Sequence, residues 1–319
     1  MFTQSRSIFY PLCLILRACR SCCCLAHEAK KKSKGKSKSA KCPNRTIKKG
    51  KKGKKFFKKG YADRNENENS LFSVPSCQAG DLERCVPFVV DEMRIRLCEL
   101  HCDHDAIFAI IYLYTTEGFL NFAPALNLEN LTSVVQEDAL FADYYFRAYD
   151  AYQMGAFDEV PPAWKVTFDA SSSKSVSSQA NGLLGMITHI QRDLPLVLYE
   201  LYKAGTLVSE MDHFAINGMF LLQEDSTPLI QQFYDPVYPN ATVDELTTII
   251  DWRAKAWVDY QRLVVADVSG NETEISAVVE GIELSALQTA QFVVLASPTS
   301  EKNEERDSFC ELNLEFESI

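Results

Sequence analysis

Asn181-Gly-Leu-Leu-Gly-Met-Ile-Thr-His-Ile-Gln-Arg-Asp-Leu-Pro195 is a mostly apolar stretch in which the only histidine, His189, stands four residues before the only carboxylate, Asp193. On a helix that spacing puts both side chains on one face, one turn apart. Pro195 follows two residues later. It has no N–H, so the carbonyl of Gln191 loses its intrahelical donor and the ring pushes the helix aside. The helical pattern extends from Ser178 to Lys203 and is punctuated by Gly205. An ionisable pair beside a helix kink in apolar surroundings is the best site candidate in the chain.

The neighbouring segments are also helical. Asp81 to Leu100 carries Val86, Val89, Val90, Met93 and Leu97 as one apolar stripe, with Pro87 marking where its regular part begins. Asp105 is placed to cap Ala106 to Gly118, which is apolar nearly all round and hence buried. A third helix starts at Thr132 or Ser133 and runs to about Met154, with Gly155 as its stop. Pro161-Pro162-Ala-Trp164 opens a short helix, and Ser171 to Ser178 reads as a polar loop. Ser209 caps Glu210 to Gln223 with Asp212 in the capping-box position, and Thr227 caps a short helix toward Phe233. Val243 to Asp267 and Glu272 to Leu295 complete the set. No alternating strand pattern of useful length appears, so the expected fold is all-α, a multi-helix bundle with a central kinked motif helix.

Charge divides the 319 residues. Residues 1–60 hold 19 Lys+Arg and one acid, Glu28, a net of about +18. The rest hold 14 basic and 42 acidic residues, a net of about −28. The acidic body is a poor nucleic-acid binder, because phosphate contacts need clustered cations. Residues 1–26 read as a signal-peptide-like or membrane-anchoring segment. Ile8 to Leu16 is too short to span a bilayer, which takes roughly 20 residues, but suits a signal-peptide core. The alternative is an acylated anchor at Cys19, Cys22, Cys23 and Cys24 beside the lysine run, which would hold the protein on an anionic membrane surface. A third reading makes the lysine run a nuclear address. Residues 27–76 read as a basic disordered linker, 77–297 as the helical domain and 298–319 as a loose acidic tail.

Cys77, Cys85, Cys98 and Cys102 fall within 26 residues, a spacing that suits two local disulfides in a secreted protein. Sequons at Asn44, Asn130, Asn240 and Asn271 point the same way. Secretion or an endomembrane lumen is therefore the expected location, with membrane-peripheral attachment as the alternative.

The same residues resemble domain-of-unknown-function family 5995, whose hallmark is similar to G-x-N-A-H-I-N-x-D-L-P. Here it stands as Gly185-Met-Ile-Thr-His189-Ile-Gln191-Arg-Asp193-Leu-Pro195, with Ile187-Thr188 in place of N-A and Gln191 in place of the second Asn. Thr115-Thr116, Phe141 to Phe146, Pro161 to Trp164 with Phe168, Asp212 with Asn217, and Trp252-Arg253 with Trp257 accompany it in consistent order over about residues 85–295. The resemblance implies a helical fold and a site on the 181–195 helix. It implies no chemistry.

The candidate catalytic set is His189, Asp193, Asp212, Asn217 and Arg253. Asp193 would orient His189 and raise its basicity, making His189 a general base. Asp212 and Asn217 would face it, and Arg253 would bind an anionic group or stack on Trp257. A divalent metal is the candidate cofactor, with His189, Asp193 and Asp143 as ligands and Asp212 and His213 as further candidates. Cys98, His101, Cys102 and His104 have metal-ligand chemistry but lack a second Cys/His pair nearby. No phosphate loop, H-E-x-x-H, G-x-S-x-G or EF-hand loop is present. The expectation is a small hydrolase-like enzyme, metal-assisted or using His189 as base, acting on a small-molecule or lipid ligand. The alternative is a non-catalytic helical binding or scaffold module in which these residues form a structural polar network.

Overall fold

The computed structural model describes residues 73–222, 226–297 and 303–313. The readings of residues 1–26, of the linker up to residue 72 and of the Asn44 sequon lie outside them. The described residues are mostly helical, with no strand among them. In chain order the helices are α1 (Pro75–Gln78), α2 (Leu82–Leu100), α3 (Ala106–Phe122), α4 (Leu131–Met154), α5 (Pro162–Ser172) and α6 (Ser178–Thr188). They continue with α7 (Leu194–Lys203), α8 (Glu210–Ala215), α9 (Asn217–Leu222), α10 (Thr227–Phe233), α11 (Val243–Val268), α12 (Glu272–Ala296) and α13 (Asn303–Asn313).

The caps follow local chemistry, not always at the expected residue. Asn130, two or three residues before the expected start, caps α4 by accepting the Ser133 N–H, and Gly155 ends it in the left-handed region at φ 75°. Asp105 does not cap α3. Its own N–H is held by the Asp103 carboxylate, and α3 runs on to Phe122. Ser209 caps α8 as expected, yet Asp212 does not close a capping box, because its two oxygens accept the N–H groups of Glu129 and Asn130. The complete capping box is at Thr242 and Glu245, which opens α11. Pro87 lies inside α2 and does not mark its start.

The expected motif helix is continuous from Ser178 to Lys203, but its kink is a π-turn. His189–Asp193 forms one turn of wider winding between α6 and α7, with the Leu194 N–H reaching the His189 carbonyl. Pro195 has no N–H to continue the regular α ladder at this point. The composite helix is the centre of the bundle. α6 packs on α3, α5 and α12; the π-turn on α4, α11 and α12; and α7 on α4 and α11. Among the described residues two helices are long and apolar enough to cross a membrane by length and composition, Ala106–Ala125 and Glu272–Ala296; the first is mostly buried, as a core helix should be.

The stretch read as a loose acidic tail holds α13, and Cys310 on it is bonded to Cys102, 208 residues earlier. The two local disulfides expected from cysteine spacing become one local bridge, Cys77–Cys85, and one long-range bridge; Cys98 is disulfide-bonded as well. His104 donates or accepts through both ring nitrogens, to Asp307 at 3.0 Å and to Asn181 at 3.2 Å, and so ties the start of α3 to α13 and α6.

Gly182 and Gly185 let α6 lie against α3. A β-carbon at Gly185 would fall 2.2 Å from Cγ and 2.6 Å from Cβ of Phe108, and one at Gly182 would fall 2.8 Å from Ile111 Cδ1. Phe108 is itself buried among Tyr145, Trp164 and His189, so it has little room to retreat. Gly185→Ala should therefore destabilise the fold by about 1–3 kcal/mol in urea titration, although alanine is the better helix former. An unchanged or raised midpoint would show that the two helices do not need this close approach.

Candidate functional site

The π-turn presents Asp193 to the interior with no exposure to solvent. A buried carboxylate is costly unless its oxygens are fully bonded, and here they are. Oδ2 accepts the Trp164 indole N–H at 2.9 Å and the His189 Nδ1–H at 2.8 Å. Oδ1 accepts the Arg192 guanidinium at 2.6 Å. Arg192 continues to Glu283 on α12, at 2.8 Å and 2.7 Å through two nitrogens. Burial acts to raise the Asp193 pKa, but Arg192 and the His189 hydrogen bond outweigh it and hold the carboxyl below its usual range. Asp193 is thus an ionised acceptor, and the proton between the two residues belongs to His189 Nδ1.

His189 then carries its lone pair on Nε2. Burial dominates its titration and lowers its pKa below the ordinary 6.5, against the pull of Asp193 in the other direction, so the imidazole is neutral. Nε2 is buried and has no hydrogen-bond partner. The ring lies flat on Phe141, centroids 3.5 Å apart and planes 4° from parallel, with the edge of Tyr112 at 4.7 Å. These contacts fix both the tautomer and the orientation of the ring.

His189 lines a cavity of about 790 Å³ bounded by α3, α4, α6, α9, α11 and α12. Its wall is chiefly apolar and aromatic, with Phe108, Tyr112, Phe119, Phe141, Leu183, Met219 and Trp252 among the lining residues. Three other residues on it share the His189 condition. Tyr112 Oη, Glu137 Oε2 and Asp138 Oδ2 are buried polar atoms without a partner. Such atoms are rare in a folded interior, and gathered on one apolar cavity they mark a place where a polar group from elsewhere fits. Burial pushes the Glu137 pKa up to about 7; Arg253 opposes this and Asp212 adds to it. Burial, with Glu137 beside it, pushes Asp138 up to about 8.

The five expected site residues divide. His189 and Asp193 meet as read from their spacing, and Arg253 lines the cavity. Asp212 and Asn217 do not face His189. Asp212 is spent on the two backbone N–H groups ahead of α4, and Asn217 accepts from Arg253 Nε at 2.8 Å. Arg253 also donates to the His213 carbonyl at 2.8 Å, and it is His213, not Arg253, that stacks on Trp257 at 4.9 Å. A buried guanidinium needs those oxygen acceptors more than a ring face.

The expected metal set does not assemble. Asp193 has no oxygen left to give, Asp143 pairs with Arg147 at 3.0 Å, and no three His, Cys, Asp or Glu among the described residues are grouped to hold an ion. Glu137 and Asp138 were missed, because Gln136-Glu137-Asp138 reads as a solvated helix face. The available signal was the position of Glu137, three residues after Val134 and four before Phe141, inside the apolar stripe of α4.

The family described as Family of unknown function (DUF5995) matches residues 86–296, about two thirds of the chain. The chain belongs to this family. The matched DUF5995 region runs from α2 to the end of α12 and so contains the whole composite helix and every residue of the His189 cavity named above. No curated protein and no solved structure matches the chain.

The raised Glu137 pKa predicts a pH dependence of stability. Below pH 4.5 folded and unfolded chains both hold this proton. As pH rises toward 7 the unfolded chain releases it first, so the stability associated with the neutral carboxyl is lost across that window. Glu137→Gln should flatten the stability profile between pH 4.5 and 7, by up to about 3 kcal/mol over the interval, in denaturant titrations at stepped pH. Equal slopes for variant and wild type would show that Glu137 ionises normally in the fold.

Proposed function

We propose that the protein is a small hydrolase-like enzyme acting on a largely apolar small molecule or lipid in the His189 cavity. The observation that carries this reading is a neutral imidazole held by Asp193 through Nδ1, with a partnerless Nε2, on a ring that lines the cavity. That is the arrangement of a general base with its orienting carboxylate. In the proposed step Nε2 takes a proton from water as the water oxygen bonds to an acyl carbon of the substrate. The bond from that carbon to the leaving oxygen then breaks, and the imidazolium returns the proton to the leaving oxygen. Tyr112, whose hydroxyl stays protonated because burial raises its pKa well above the ordinary value, is the proposed donor to the oxygen that gains charge. Asp193 is a positioning residue. Arg253 bounds the cavity but is occupied by Asn217 and the His213 carbonyl, so we assign it no proton transfer.

The second reading is a non-catalytic carrier using the same cavity, favoured by how little of the wall is polar. We further propose an oxidising compartment, secretory or lumenal. The disulfides at Cys77–Cys85 and Cys102–Cys310 support it, as do the exposed sequon residues Asn130, Asn240 and Asn271.

The test is turnover of p-nitrophenyl esters, from acetate to laurate, by the full chain and by His189→Gln. A general base contributes about 10²–10⁴-fold, so the variant, folded by circular dichroism but with a lowered melting temperature because Asp193 loses a donor, should lose at least 100-fold in kcat/KM. The wild-type rate should fall on the acid side only, with an apparent pKa below the ordinary histidine value, and Asp193→Asn should move that limb further to acid. Binding of the chains without turnover by the wild type would favour the carrier.

A further inference from the structure

The cavity wall carries more acid than the general-base reading uses. Its charged residues among the described ones are Glu137, Asp138, Asp244, Glu245 and the single cation Arg253. Glu245 is committed to the α11 capping box and to Gln179. Glu137 and Asp138 are not so committed. Glu137 is 5 % exposed, its Oε1 lies 4.0 Å from His213 Nδ1, and its Oε2 has no partner; Asp138 Oδ2 has none either. Arg253 balances one negative charge at most from its place between Asn217 and the His213 carbonyl. With both carboxyls ionised the group is left one positive charge short. Aromatic rings line the same space, Tyr112, Tyr114, Phe141, Phe220 and Trp252 among them, and their faces attract a desolvated cation.

We propose that the molecule this cavity takes is an apolar amine, with a hydrocarbon or aromatic body against the rings and one ammonium group bonded to Glu137 and Asp138. This names the ligand class of the proposed function and rests on that reading of the cavity as a ligand site. The ammonium supplies the hydrogen-bond donors that Oε2 and Oδ2 lack and the charge the wall lacks. The groups that face the two carboxyls are Arg253 from α11, Asp212 and His213 from α8, and Tyr112 from α3. Of these only Arg253 is cationic, since burial keeps His213 neutral. The carboxyls hold protons in the empty cavity, with pKa values of about 7 and about 8, so taking a cation near neutrality expels protons to solvent.

Calorimetric titration of the full chain with octylamine, octan-1-ol and octanoate, at pH 6 and pH 8.5 and in two buffers of different ionisation enthalpy, tests this. The amine should bind at least tenfold more tightly than the alcohol at pH 8.5. The margin should shrink at pH 6, where binding should release protons. Glu137→Gln and Asp138→Asn should erase the margin while octan-1-ol still binds. Equal affinity for amine and alcohol, or tighter binding of octanoate, overturns the amine assignment and leaves the cavity as a ligand site. Failure of all three to bind overturns both.

Discussion

A carboxylate with no access to water governs this structure. Asp193 would be untenable in the bundle interior without Trp164, His189 and Arg192 around it, and each of those donors comes with a helix attached. Trp164 brings α5, His189 the end of α6, and Arg192 reaches α12 through Glu283. Losing any donor leaves a buried charge short of a partner, which in comparable settings costs about 3–5 kcal/mol. The requirement therefore acts as a register pin, holding three helices about one point. The π-turn follows from the same place: its wider winding spans His189 to Asp193, immediately ahead of a proline that cannot continue the ladder.

What Asp193 holds in place has functional meaning because the cavity beside it is built differently. Both oxygens of Asp193 are fully bonded. On the cavity wall, Glu137 and Asp138 of α4 each have an oxygen with no partner, as do Tyr112 Oη and His189 Nε2. A fold optimised for stability alone would replace such groups with hydrocarbon. Their presence on one apolar wall separates the molecule into a tightly bonded frame and an under-bonded site, the combination expected where a protein must receive something.

Much of this was legible in the sequence, for identifiable reasons. Helical periodicity and punctuation at Gly155, Gly205 and Ser209 depend on local chemistry, so the order of helices could be read directly. The His189–Asp193 pair was legible because four residues is one helical turn, a relation the π-turn leaves intact. Asp212 and Asn217 were misassigned because which way a short helix faces is a tertiary fact. The break at Ile216 separates α8 from α9, and packing turns Asp212 to the start of α4 and Asn217 to Arg253. The acid pair on α4 was hidden for the opposite reason: carboxylates on an amphipathic helix are ordinarily in water, and only the packing around the cavity buries this edge. The Cys102–Cys310 bridge closes a loop of 208 residues, beyond what cysteine spacing can indicate, and with it went α13.

The site turns on a His189 ring that is neutral in the fold, with its proton on Nδ1 and its Nε2 without a partner. Nitrogen-15 NMR of the histidine-labelled full chain, with His189→Gln to assign the ring, tests this most directly. The expected spectrum has a protonated, strongly hydrogen-bonded Nδ1 and a pyridine-type Nε2 that gains a proton only below the ordinary histidine pKa. A ring that gains a second proton near pH 6.5, or one protonated on Nε2 with Nδ1 bare, would contradict it and remove the general base from the site.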